Sequence, residues 1–211
     1  MSRLFLNLLR LNMAGGRQLQ FDKEKALEEA MFVFWKKGFL GASLSELTKA
    51  MSINKPSLYS AFGNKEDLFV SASEHYLAKH ASPHVDYLNE DGLPLNERIK
   101  NYLLSVVTML CSSSTPNGCF IAVAANELVG ESLPEKATQI IVYAGNYAET
   151  YLAEFFTAEK AKGNLTADIE ISQLTLLIIT FMHGLSSVAR SGKSQQQLQS
   201  VINIFVTRLC F

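Results

Sequence analysis

The residues best placed to do chemistry lie in one stretch, Ala42 to Phe69, reading ASLSELTKAMSINKPSLYSAFGNKEDLF. Lys55, Tyr59 and Ser60 share the outer face of a short predicted helix whose inner face is Leu58 and Phe62. A lysine, a tyrosine and a serine with no general base or nucleophile nearby offer recognition, not catalysis. They can donate hydrogen bonds to an anionic, acceptor-rich surface such as a nucleic acid backbone or base edge.

The elements that must position these groups are written in the flanking residues. Ser43 followed three residues later by Glu46 fits a capping box at a helix start. Leu44, Leu47, Ala50 and Met51 then recur at helical spacing. Ser52-Ile53-Asn54 interrupts the run, Asn54 suits an N-cap, and Pro56 falls in the first turn, where its missing N–H costs little. Gly63-Asn64 ends the second helix and opens a third at Lys65. A helix this short is marginal alone and must be propped by tertiary contacts through Ile53, Leu58 and Phe62. The pattern leaves two readings open: a helix-turn-helix whose second helix enters a major groove, or a plain helical hairpin with a solvated face.

Nearly half of the 211 residues (48%) are apolar and 18% are charged, which excludes global disorder and leaves room for a substantial core. The net charge is −1, but it is unevenly spread: residues 1–70 hold 10 Lys/Arg against 7 Asp/Glu, and residues 71–211 hold 9 against 13. The basic excess lies with the candidate recognition helix, as a phosphate-facing surface requires. Cys111, Cys119 and Cys210 form no metal spacing, and their odd number suggests reduced thiols in a cytoplasm. The apolar run Leu176 to Met182 is too short to span a bilayer.

The stretch Phe21 to Phe69 resembles the DNA-binding domain of the TetR family of bacterial transcriptional regulators. The matching marks are Phe34-Trp35-Lys36-Lys37-Gly38-Phe39, Ala42-Ser43-Leu44, Lys55-Pro56-Ser57-Leu58-Tyr59 with Phe62, and Gly63-Asn64-Lys65-Glu66-Asp67-Leu68. Where the family has Ala-Gly this chain has Met51-Ser52, so the turn is expected to be strained or differently wound. The resemblance implies an all-α protein, with a three-helix DNA-binding domain at 21–69 and a helical ligand-sensing and dimerisation domain at 70–211. Residues 1–20 would be an extension ending in a basic arm at Gly15-Gly16-Arg17. Met1 to Asn12 reads as an upstream extension of the frame, with Met13 as the natural start.

The expected DNA contacts follow from that resemblance. Lys55 and Ser57 approach base edges, with Pro56 against a thymine methyl or a sugar. Ser43, Tyr59 and Lys65 hold phosphates, and Arg17, Leu44 and Ser60 complete the set. The first helix runs from an Asp22 cap to Lys37, with Trp35 in the core and Gly38 as its stop. A fourth helix from Lys65 to about His80, ended by Ser82-Pro83, is the lever to the rest of the chain. His75, His80 and His84 are expected to be solvated, since Pro83 breaks the turn that would pair two of them.

Downstream, helices are expected at Asn96–Cys111, Cys119–Leu128, Leu133–Lys162, Ile169–Arg190 and from Ser194 onward. Tyr143, Tyr147, Tyr151 and Phe155 recur every four residues, which is most often a core pattern, yet three hydroxyls on an inner face would need partners. With Val107, Cys119, Phe120, Val123 and His183 they are expected to line an apolar cavity. No Lys or Arg projects into it, which favours an uncharged, apolar or aromatic ligand. Leu174, Leu177, Ile178, Phe181, Gly184, Leu185, Val201, Ile202 and Phe205 on the terminal pair resemble the family's four-helix dimer interface.

No phosphate loop, zinc motif or nucleophile triad appears, so an enzyme reading has no residues to carry it, and no cofactor or metal is called for. The expected function is a homodimeric repressor that a small molecule releases from operator DNA. Oxidation of Cys119 or Cys111 is an alternative signal, and a carrier of hydrophobic ligands with a vestigial helix-turn-helix is the reading from another class.

Overall fold

The computed structural model describes residues 21–130 and 132–209, and every regular element among them is helical. Helix α1 spans Lys23–Gly41 behind an Asp22 cap whose side chain accepts from the Lys25 N–H. It is broken at Gly38, where φ is 73° and ψ −179°, so its final residues form a separate turn. Three short helices follow: α2 at Leu44–Ala50, α3 at Lys55–Phe62 and α4 at Lys65–Tyr76. Each opens on a local cap. Ser43 and Glu46 form a capping box, the Asn54 side chain accepts from the Ser57 N–H at 2.8 Å, and Asn64 and Asp67 form a second box. Such caps contribute about 1 kcal/mol each.

The α2–α3 turn is wound as the missing glycine suggests. Ser52 has φ 54°, the one positive value among the described non-glycine residues. An L side chain in that region costs about 1 kcal/mol.

These helices close on an aromatic core. Phe34 and Phe39 both meet Phe69 edge-on, at centroid distances of 5.1 and 5.2 Å. Trp35 is fully buried, edge-on to Tyr76 at 4.9 Å, and its Nε1–H donates to the Gly118 carbonyl at 3.0 Å. Packing does not stop near residue 69, because Phe120, Ala124, Ile140 and Ile141 belong to the same core.

The fourth helix departs from the expected run to His80. Its α-helical part ends at Tyr76, Leu77–Ala81 is a π-helical turn, and Ser82–Asn89 is a 3-10 helix. Pro83 has no N–H and its ring clashes with the preceding turn, so the ladder is rewound there. The Ser82 hydroxyl donates to the Leu77 carbonyl at 2.8 Å, which also accepts the Ser82 N–H of the π-helical turn.

The second half comprises α5 at Leu95–Leu110, α6 at Phe120–Ala125, α7 at Glu135–Ala161, α8 at Ile171–Arg190 and α9 at Gln195–Arg208. Its core runs through Ile99, Leu103, Val107, Phe156, Ile178, Ala189 and Ile202. A buried ion pair of Arg98 with Glu159 ties α5 to α7, and Arg98 also donates to the Leu88 carbonyl at 2.9 Å. Burial alone would raise the Glu159 carboxyl. Hydrogen bonds from Arg98, Lys162 and Asn164 outweigh it and hold the group at about 2.

Helix α8 is longer than its most apolar run implies: its 20 residues have the length and composition to cross a bilayer, with 28% of that window buried. One face packs into the core. The other carries Leu176, Leu177 and Val188, continued on α9 by Val201 and Ile204, all exposed. This divides the expected dimer residues. Leu177, Gly184 and Val201 face outward, Phe181 and Phe205 stack at 3.8 Å and are half-buried, but Leu174, Ile178, Leu185 and Ile202 are buried in the chain's own core. With apolar residues on both faces, the sequence period could not say which face the chain covers itself.

Candidate functional site

Helix α3 presents a pinned inner face and a free outer one. Leu58 and Phe62 are buried, while Lys55, Pro56, Tyr59 and Ser60 are exposed and Ser57 is half-buried. Lys55 makes no ion pair among the described residues. Leu44 is half-buried against the core and Ser43 is exposed. The Ser43 hydroxyl is already committed: it donates to Glu46 at 2.9 Å and accepts from the Glu46 N–H. Arg17 lies outside the described residues, as does the expected start at Met13.

Lys65 is held less freely than its place at a helix start suggests. Its ammonium stands over the Phe39 ring, 4.5 Å from the centroid, and burial lowers its pKa while Glu127 acts to raise it.

A cavity of about 410 Å³ lies beyond α4, between the π-helical turn, α5, α6, α7 and α8. Tyr76, Tyr102, Met109, Ile121, Ala122 and Met182 give it a mainly apolar wall, and among the described lining residues there is no Lys or Arg and one carboxylate, Glu149. Of the residues expected there, Cys119, Tyr147, Tyr151 and His183 border it. The Cys119 thiol accepts the Tyr76 hydroxyl proton at 3.2 Å, and Tyr151 accepts from Asn89 at 2.8 Å.

The others do not line it. Val107 and Phe155 are buried in the second core, and Phe120 belongs to the aromatic core around Trp35. Val123 is half-buried away from the cavity. Tyr143 lies on the outer surface, 47% exposed, beside Tyr147 at 6.3 Å. A four-residue period drifts about 40° per step around a helix of 3.6 residues per turn, so the tyrosine ladder winds from outside to inside along α7.

The histidines are not solvated. The Nε2 atoms of His75, His80 and His84 are buried without a hydrogen-bond partner, and burial lowers the pKa of all three rings. His75 lies on α4 itself, whereas His80 and His84 are carried by the rewound segments, and His80 meets Trp35 edge-on at 5.5 Å. Ser105 donates its proton to the Tyr102 carbonyl, so the contact of 3.1 Å between His84 Nδ1 and Ser105 is donated by the imidazole.

The cavity walls and the DNA-facing helices are joined by charged ties that sequence reading missed. Arg190 on α8 donates to the carbonyls of Trp35 at 3.2 Å and Lys36 at 3.0 Å, at the negative end of α1. Glu127, just after α6, accepts the N–H groups of Phe39 at 2.7 Å and Leu40 at 3.0 Å, on the far side of the Gly38 break. Lys136 at the start of α7 pairs with Asp67 on α4 at 2.5 Å. The one available signal was a carboxylate ending the otherwise apolar CFIAVAANEL run.

Residues 26–72 match the family described as bacterial regulatory proteins, tetR family. The chain is 28% identical to the HTH-type transcriptional repressor ComR of Escherichia coli K12, covering 88% of each chain. It is 30% identical to the repressor BdcR of the same organism, over 87% of this chain and 86% of that one. Among solved structures it is similar to the TetR family transcriptional regulator CifR, cysteine-substituted and complexed with 26-bp operator DNA. That similarity is 31% identity with a TM-score of 0.83, covering 92% of this chain and 100% of CifR. With the capped helix-turn-helix and the all-helical second half, these similarities make the chain a member of the TetR family, a DNA-binding transcriptional regulator.

Proposed function

We propose that the chain is a homodimeric repressor that leaves its operator when a small, uncharged, mainly apolar molecule enters the cavity bounded by α4 to α8. The observation that carries this reading is the cavity itself: about 410 Å³, apolar, without a lysine or arginine on its described wall, and floored by the helix that precedes Glu127. Small-molecule sites are commonly concave and apolar with a few placed polar groups. The repressor names of ComR and BdcR, and the operator bound to CifR, support the direction of control. A DNA-binding regulator works where the DNA is, in the cytoplasm.

Lys55 and Ser57 read base edges beside Pro56, while Tyr59, Ser60 and Lys65 hold phosphates; Ser43, Leu44 and Arg17 support them. The DNA-binding unit is taken as residues 21–69. Two copies join through the outer faces of α8 and α9, where Leu176 and Ile204 are 63% and 65% exposed. An apolar stripe of that kind marks an interaction surface.

The test begins with DNA fragments retained by the purified protein, including the region next to its own gene. Operator affinity is then measured for wild type and Cys119→Ser with a panel of uncharged aromatic and aliphatic compounds, and with peroxide. Release of the serine variant by a compound supports the cavity reading. Release of the wild type alone, by peroxide alone, assigns the signal to the Cys119 thiol, while failure to retain any duplex favours a ligand carrier. Ile204→Glu should convert the dimer to monomer in light scattering; an unchanged dimer refutes the proposed interface.

A further inference from the structure

We propose that Glu127 is the positioning residue through which occupancy of the cavity reaches the DNA-binding helices. The inference rests on the cavity being the ligand site. Helix α6 lines that cavity with Ile121, Ala122 and Ala125. Two residues past Ala125, the Glu127 carboxylate accepts the Phe39 and Leu40 N–H groups, 88 and 87 residues away in sequence.

This contact is a helix cap supplied from a distance. Gly38, at φ 73°, ends the main run of α1, and the turn after it begins with N–H groups that have no helical acceptor. Glu127 takes two of them, one on each carboxylate oxygen. The seat is cut to that group: a Cβ on residue 38 would lie 2.4 Å from one carboxylate oxygen and 2.7 Å from the carboxyl carbon. The capped turn runs through Ala42 directly into the Ser43 cap of α2, so its position sets the angle at which α2 and α3 leave α1. The Lys65 ammonium, over the Phe39 ring, feels the same carboxylate.

A ligand that lifts α6 therefore withdraws the acceptor from the part-buried Phe39 amide and the exposed Leu40 amide, and the counter-charge from a lysine of the DNA face. No other side chain accepts from Phe39 or Leu40 among the described residues. The turn then loses its register, and with it the separation of the two recognition helices in the dimer.

The experiment compares wild type, Glu127→Ala and Glu127→Gln, each also carrying Ala122→Phe, which fills the cavity covalently. The uncharged fluorophore N-phenyl-1-naphthylamine serves as the cavity probe, and operator affinity is read by anisotropy on a duplex the protein has itself selected. In the wild type both the fluorophore and Ala122→Phe are expected to lower operator affinity by about 5- to 150-fold. In Glu127→Ala affinity starts low, the fluorophore binds with its wild-type Kd, and neither perturbation lowers affinity further. Glu127→Gln, which keeps one carbonyl acceptor, retains part of the response and guards against a folding defect in the alanine variant. Amide exchange at Phe39 and Leu40 rises alike in Glu127→Ala and in fluorophore-loaded wild type, which a merely structural contact would not give.

If the fluorophore or Ala122→Phe weakens Glu127→Ala as much as wild type, Glu127 is not the coupler, while the cavity reading stands. If the fluorophore fails to bind and Ala122→Phe leaves wild-type affinity unchanged, the cavity reading fails and the inference falls with it.

Discussion

Each of the first four helices opens on a side-chain cap drawn from its own N-terminal residues, at Asp22, Ser43, Asn54 and Asn64. Of the five helices in the second half, α5, α6, α7 and α8 open with no side-chain cap, and only α9 has one, at Ser194. Polar ties in the second half reach across the chain instead: Arg98 to Glu159, Trp35 to Gly118, Glu127 to Phe39, Arg190 to Trp35. The first region carries its helix starts locally, while its aromatic core is shared with α6 and α7. The second depends on packing and distant partners. For the repressor proposed above, that difference lets a ligand displace the uncapped α6 while the locally capped helices of the DNA-binding half stay folded.

The sharpest way to break the comparison is to remove one long-range tie. Glu159→Ala leaves the Arg98 guanidinium buried and unpaired and should lower stability by about 3–5 kcal/mol, measured by urea unfolding. A loss no larger than that of a single local cap would remove the contrast. The same pair sets an acid limit. The Glu159 carboxyl is held at about 2 against an ordinary 4.5, so its stabilisation is complete above about 4.5 and is lost as pH falls towards 2. Glu159→Gln should flatten stability across that window.

On the DNA face the expected losses are smaller and separable. Lys55→Ala should weaken operator binding by about 1–3 kcal/mol and relax preference at one position per half-site. Lys65→Ala should weaken all duplexes alike and reduce the salt slope by about one unit. Identical behaviour of the two variants across operator sequences would show that the roles are wrongly divided.

Asn64→Ala removes the cap shared with Asp67 and should cost about 1 kcal/mol in thermal or urea unfolding. The smallest effect has the opposite sign. Ser52→Gly relieves the positive φ at the α2–α3 turn and should raise stability by about 0.5–1 kcal/mol with DNA binding intact. A destabilised glycine variant would mean that the serine side chain holds the turn.

How much was legible follows the same division. Ser43 with Glu46, Asn54 with Pro56, and the Asn64 cap were readable because a capping residue and the amide it satisfies lie within one turn. The departure at Met51-Ser52 pointed to a strained or differently wound turn, and the strain falls on Ser52 at φ 54°. By contrast, Val107, Phe120, Tyr143 and Phe155 were expected in the cavity and stand elsewhere. A period marks an apolar face but not whether that face meets core, cavity or a second chain. His80 and His84 sit on segments that are rewound around Pro83, an effect on neighbours that spacing alone does not reveal, and His75 is covered by tertiary packing.

By itself, then, the sequence determined the helix starts, the helix-turn-helix and the chemistry offered on its outer face, since these depend on groups a few residues apart. Tertiary structure alone decided the second half's polar partners: that Glu127 caps a turn 88 residues away, that Arg190 reaches the end of α1, and that the cavity opens between α4 and α8. The physical reason is range. A cap closes a loop of three or four residues at little entropic cost, whereas a contact across 88 or 155 residues exists only because packing has already brought the two segments together.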